Sequence, residues 1–214
     1  MTRRRILRLG IGRGRRNQRG QGLVEFAIVV PVFMTMLLGM LEFGIAFNHQ
    51  LTLGYATREG ARIAADLVNG GGTLGCSAGQ SPNAGNVDDI IIEAVDRVLS
   101  SAGSPIPLSQ VSQIRIFKAD STGGDTLGLG NNWTYTATAH TLFDGTLVNF
   151  QPGSVNWGAC NRDNRVGHTV STPNAVDSIG VSITYTYKGS TPFVSTLPMG
   201  DVTVMQFNPT SVSG

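Results

Sequence analysis

Charge is scarce in this chain, and so is everything that usually marks a catalyst. Asp, Glu, Lys and Arg make up 14% of its 214 residues, against about 25% in an ordinary soluble domain. Only three histidines and two cysteines occur. The sequence has no H-E-x-x-H, no phosphate-binding glycine loop and no C-x-x-C. These absences leave no catalytic residue, metal site or cofactor to expect, and His140 and His168 read as surface or strand histidines. Apolar residues reach 41%, so a core can be buried, and Ser, Thr, Asn and Gly must cover it.

The net charge of +2 conceals an uneven distribution. Residues 1–19 carry eight arginines and no acid, whereas residues 20–214 carry the other eight cations and all fourteen acids, a net of −6. An acidic body excludes a fold whose whole surface binds nucleic acid. The basic tip stands beside an apolar segment, where its simplest partner is anionic membrane lipid rather than RNA.

That segment reads FAIVVPVFMTMLLGML at residues 26–41; Glu42 interrupts it and FGIAF runs on to Phe47. Residues 26–47 make 22 positions, or ~33 Å at ~1.5 Å each, enough to cross a hydrocarbon core of ~30 Å. A buried core helix of this length would need a larger body around it than the Thr-rich, strand-like remainder provides. A cleaved secretory signal has a shorter apolar region of ~7–15 residues. The twin-arginine-like start at residues 2–8 lies far ahead of the apolar run. No cation stands between Arg19 and Arg58. The positive-inside rule therefore predicts a single pass of the cytoplasmic membrane, N-terminus in the cytoplasm and body outside.

Glu42 is costly in an apolar stretch. It must be protonated, paired or turned toward a protein partner, unless it snorkels to the outer interface roughly 9 Å away. Pro31 removes one helical hydrogen bond. Ala56, Gly60 and Ala64 recur at i, i+4 and i+8, a ridge of small residues that lets another backbone approach closely, from this chain or a neighbour. Arg58 and Arg62, with Glu59 and Asp66 nearby, read as a solvated face of modest ion pairs. The helix is predicted from about residue 21 to Leu67, stopped by Asn69-Gly70-Gly71-Gly72.

At the edge of the run stands Gly20-Gln21-Gly22-Leu23-Val24-Glu25-Phe26. A glycine closes a basic leader, four residues intervene before Glu25, and an aromatic opens the span. This resembles the type IV prepilin cleavage motif, which implies cutting between Gly20 and Gln21 by a prepilin peptidase. Glycine lets a protease approach the backbone, and the new Gln21 amine would lie near the Glu25 carboxylate of a neighbouring subunit. Residues 21–65 also closely resemble the TadE-like family, membrane proteins of the tight-adherence (Flp, type IVb) pilus system. The matching residues are Glu25-Phe26-Ala27, Pro31, Gly39, Glu42-Phe43-Gly44 and Arg58-Glu59-Gly60-Ala61-Arg62. The resemblance implies pilin-like partner subunits and pilus assembly proteins, with Glu25 and Glu42 setting register between packed helices.

The rest of the chain predicts an α+β head. Residues 70–86 form a Gly/Ser/Asn loop. Asp88 or Asp89 caps a helix through about Ser101, with Ile91, Ala94, Val95, Val98 and Leu99 on one face. Residues 111–118, 133–142, 178–188 and 202–207 alternate like half-buried strands, and residues 143–177 look irregular. The expected fold is α+β: a long N-terminal transmembrane helix, one short helix and an antiparallel sheet of about four strands. Cys76 and Cys160 fall in predicted loops of the exported part. There they are expected to pair, closing a loop of ~85 residues, and the alternative of a metal pair lacks further ligands. Asp120 through Asp125 reads as a hairpin loop rather than a calcium loop.

The divisions expected are a basic cytoplasmic leader at 1–20, a transmembrane and juxtamembrane helix at 21–68, and an extracytoplasmic head at 69–214. The function expected is a membrane-anchored, non-enzymatic pseudopilin-like component of tight-adherence pilus assembly or a related secretion apparatus. The alternative is an unprocessed cell-envelope anchor whose head binds a partner or surface.

Overall fold

Ile179, Val181, Ile183, Tyr185 and Tyr187 are buried at every second position of one strand, with Gly180, Ser182, Thr184 and Thr186 between them. This period of two makes Ser178–Lys188 (β5) the central rail of the head. The computed structural model describes residues 18–67, 86–162, 165–166, 176–191, 194–208 and 210–211. Helix α1 spans Gln18–Asp66 and passes through Pro31, and α2 spans Val87–Leu99. Strands β1 (Val111–Ala119), β2 (Gly130–Thr141) and β3 (Leu147–Val155) precede β4 (Arg165–Val166); β5, β6 (Thr196–Gln206) and β7 (Thr210–Ser211) follow. Short 3-10 turns occupy Leu108–Gln110 and Ala159–Asn161.

Five strands form one antiparallel sheet in the order β3-β2-β1-β5-β6, and β4 pairs β7 in parallel. The fold class is α+β, with one strand more in the sheet than expected. The addition, β3, lies in the segment that the sequence left irregular. Only Val148 and Phe150 of β3 are buried, so the alternation is short, and Pro152 is tolerated because β3 is an edge strand. The other edge strand, β6, begins at Thr196 rather than near residue 202. Pro198 and Gly200 lie inside it and mask its start.

By its internal contacts the chain divides into residues 1–41 and 42–214. Within the second unit one core joins three surfaces. Leu53, Ala56, Ala61 and Ala64 come from α1; Ile91, Ile92, Val95 and Leu99 come from α2; Ile114, Ile116, Val181 and Ile183 come from the sheet. Each large aliphatic side chain buried there contributes roughly 1.5–3 kcal/mol. The expected leader up to residue 17, Cys76, His168 and most of the 70–86 loop lie outside the described residues.

Candidate assembly interface

The motif residues lie on the first three turns of α1. Gly20 and Gln21 are already helical, and Gln21 Nε2 donates to Glu25 Oε1 at 3.2 Å, one turn away. Phe26 is exposed, as are Leu23, Val24, Ile28, Val29 and Val32. Among the described residues, α1 is the helix long and apolar enough to cross a membrane.

Glu42 is treated differently. It is only 5% exposed. Its Oε1 accepts from Tyr187 Oη at 2.6 Å and from the Ser190 backbone N–H at 2.9 Å, while Oε2 has no partner among the described residues. Of the fates open to this carboxylate, pairing within the chain is the one realised. From there α1 climbs along β5 and β6 by further polar contacts. His49 Nδ1 lies 2.8 Å from Tyr185 Oη, which itself donates to Gln110 Oε1 at 2.8 Å. The phenol oxygen is left to accept, so the His49 proton belongs on Nδ1. Burial pushes the Tyr185 phenol up to about 12 and raises that of Tyr187, aided by the bond to Glu42; both stay protonated donors. Gln50 donates to the Gly200 carbonyl at 2.9 Å, and Thr57 bonds Asp201 and Thr203. Asn208 donates to Asp66 at 2.7 Å.

Ala56, Gly60 and Ala64 are buried on the same side of α1. A Cβ at Gly60 would stand 2.6 Å from Val95 Cγ2 and 3.4 Å from Val181 Cγ1. The small ridge is therefore filled by the chain's own α2 and β5. Glu59 meets Arg62 at 2.9 Å and Arg97 at 3.6 Å on the surface, the modest ion pairs expected.

The opposite side of α1 has no covering among the described residues. Phe43, Phe47, Leu51 and Tyr55 repeat every fourth residue and are 73%, 54%, 46% and 62% exposed. Phe43 and Phe47 stack with ring centroids 6.3 Å apart. Their spacing was visible in the sequence, but the inward ridge drew the reading instead.

Sequence reasoning also missed a buried polar knot at the start of α2. Arg162 is 1% exposed. It pairs Asp88 at 2.6 Å and lies 4.8 Å from the centroid of the Trp157 ring. Asn131, fully buried, donates to Asp88 Oδ2 at 2.5 Å and to the Trp157 carbonyl, and its Oδ1 accepts the backbone N–H groups of Asn156 and Trp157. Beside this knot a pocket of about 360 Å³ is lined by residues that include Asp89, Trp133, Pro152 and Cys160. Burial raises the Asp89 carboxyl against the bond it accepts from the Phe143 N–H at 3.1 Å. Asp120 closes its own turn by accepting from Thr122, Gly124 and Thr126, which holds its carboxyl well below the usual range. His140 packs against the Trp133 ring, centroids 6.0 Å apart. Among the described residues no His, Cys, Asp or Glu cluster could hold a metal.

Fold and site together define a class: an α+β head bound along the second half of a long helix whose first half suits a membrane. Residues 20–62, roughly a fifth of the chain, match the family model described as TadE-like protein. Comparison with curated proteins and with solved structures gives no match. The TadE-like match points to a component associated with the tight-adherence pilus and with membrane, and that family is not an enzyme family.

Proposed function

We propose that this chain is a pseudopilin-like component for assembly of a tight-adherence pilus or a related secretion apparatus. The observation that carries the reading is the two-sidedness of α1. One side is consumed by the chain's own head, through Glu42, His49, Leu53 and Gly60. The other presents Phe43, Phe47, Leu51 and Tyr55 to something else. The something else is the helix of a pilin-like neighbour, against which such a stripe buries apolar area.

On this reading a prepilin peptidase removes leader 1–20 on the cytoplasmic side. The helix at 21–68 anchors in the cytoplasmic membrane, and the head at 69–214 stands outside. Gly20 and Gly22 support the cleavage step. Neither has a neighbour within 4 Å that a Cβ would touch, and glycine holds a helix roughly 0.5–1 kcal/mol less firmly than alanine. The first turn is thus easily opened for a protease. After cleavage the Gln21 amine meets Glu25 of an adjacent subunit, and an unpaired Glu25 penalises a misplaced one. Cys160 pairs with Cys76 and ties the 70–86 loop to the 143–177 region; no described cysteine is free, which supports this.

The test is pilus output from host cells carrying Glu25→Ala or Leu51→Glu. Both variants are expected in the membrane at normal levels with assembled pili lost. Unchanged pilus output from both would overturn the reading.

A further inference from the structure

We propose that the β5–β6 hairpin is a second membrane contact, resting in the headgroup–acyl boundary of the bilayer that α1 enters. The inference rests on α1 being a membrane helix, and goes beyond it by giving the head a lipid-facing edge of its own.

Depth follows from Glu42. Its Oε1 is bonded to Tyr187 and to the Ser190 backbone N–H, and lies 2.9 Å from where a Gly189 Cβ would stand. The hairpin tip is therefore level with residue 42 of the helix. At that level α1 is still an apolar surface: Phe43 and Phe47 are 73% and 54% exposed. Phe47 lies ~6 Å further along the axis at ~1.5 Å per residue. A span of ~20 residues starting at Leu23 ends at residue 42. Wherever the lipid boundary falls between residues 42 and 47, the tip is at it or within it.

The hairpin is built for that position. Residues 189–200 contain no ionisable side chain, between Lys188 and Asp201. Leu197, paired across the hairpin with Tyr187, is 44% exposed. Lys188 is exposed at the strand end, where its stem can lie along lipid with the ammonium among phosphates. Three backbone donors among the described residues of the tip are satisfied internally: Gly189 N–H by the Ser195 carbonyl at 3.3 Å, Val194 N–H by the Thr191 carbonyl at 3.4 Å, and Ser190 N–H by Glu42. A backbone leaving water needs such pairing.

The test uses the full chain in vesicles of phosphatidylcholine and phosphatidylglycerol, with one environment-sensitive residue at a time: Ser190→dansylalanine, Leu197→dansylalanine, Met34→dansylalanine and Thr122→dansylalanine. Thr122 follows β1, whose Ala119 pairs Ser178, so it lies at the far end of β5 from the hairpin. The expected result is blue-shifted emission, largely lost to spin-labelled lipid, at residues 190, 197 and 34 and not at 122. Quenching at 34 alone would overturn the hairpin contact and leave the membrane helix standing. No quenching at 34 would overturn both. A blue shift at 190 and 197 without lipid quenching would assign the edge to a second protein copy and overturn the lipid contact.

Discussion

Tyr187 donates its phenol hydrogen to Glu42 at 2.6 Å, joining two residues 145 positions apart in the chain. The carboxylate that interrupts the apolar run is thereby received by the end of β5. Its Oε1 takes two donors, and among the described residues Oε2 has no hydrogen-bond partner. A site that holds a carboxylate by one oxygen is sensitive to loss of either donor.

Tyr187→Phe should therefore lower the unfolding midpoint of the detergent-solubilised chain by several degrees. Glu42→Gln, which keeps an accepting oxygen, should cost less than Glu42→Ala. Circular dichroism melts read both. An unchanged midpoint in Tyr187→Phe would remove the bond from the account.

Gly60→Ala places a methyl group 2.6 Å from Val95 Cγ2. Overpacking of this kind costs about 1–3 kcal/mol. Val95→Ala should make room for it, so the double variant should be more stable than the sum of the single losses predicts. Strict additivity in denaturant melts would contradict the contact.

Asp96 is a buried acid whose Oδ1 has no hydrogen-bond partner among the described residues. Burial raises its carboxyl above the ordinary value, only partly offset by bonds from Ser100 and Asn149. Its folded pKa thus exceeds its unfolded one, and the native state binds the proton more tightly. The stabilising contribution is whole below the unfolded value near ~3.9 and is lost as pH rises through the folded value. Asp96→Asn should melt a few degrees higher than the parent at neutral pH, and the gain should shrink as pH falls through the raised folded value and be gone by about pH 4. A gain that is constant with pH would contradict the assignment.

Asp88 and Arg162 should respond unequally. Asp88→Asn strands a guanidinium that is 1% exposed, at a cost of about 3–5 kcal/mol. Arg162→Met removes the charge as well as the pair and should cost less. Thermal melts giving the reverse order would show that the knot is held by something other than this ion pair.

What could be read in the sequence tracks how locally each signal is encoded. Strand β5 was predicted with the bounds observed, because five buried residues alternate without interruption. Helix α1 ends at Asp66, within a residue of its prediction, because a run of glycines follows. Strand β3 was lost because Asn149, Gln151, Pro152 and Gly153 dilute its pattern and an edge position forgives them. The site was legible in kind and not in partner. Glu42 announced that it needed one, but nothing local could name Tyr187. Arg162 was invisible because its partner lies 74 residues away and its neighbours carry no repeating pattern. The spacing of Ala56, Gly60 and Ala64 marks a small-residue face without naming what packs on it, and only the fold could say that α2 and β5 meet it at Gly60.

The most direct measurement is the intact mass of the protein extracted from host membranes, with its N-terminus read by fragmentation. A pseudopilin-like subunit predicts a chain beginning at Gln21, shorter by the leader of residues 1–20. A membrane population that still carries Arg3 through Gly20 would contradict that account and make the chain an uncleaved anchor for its head.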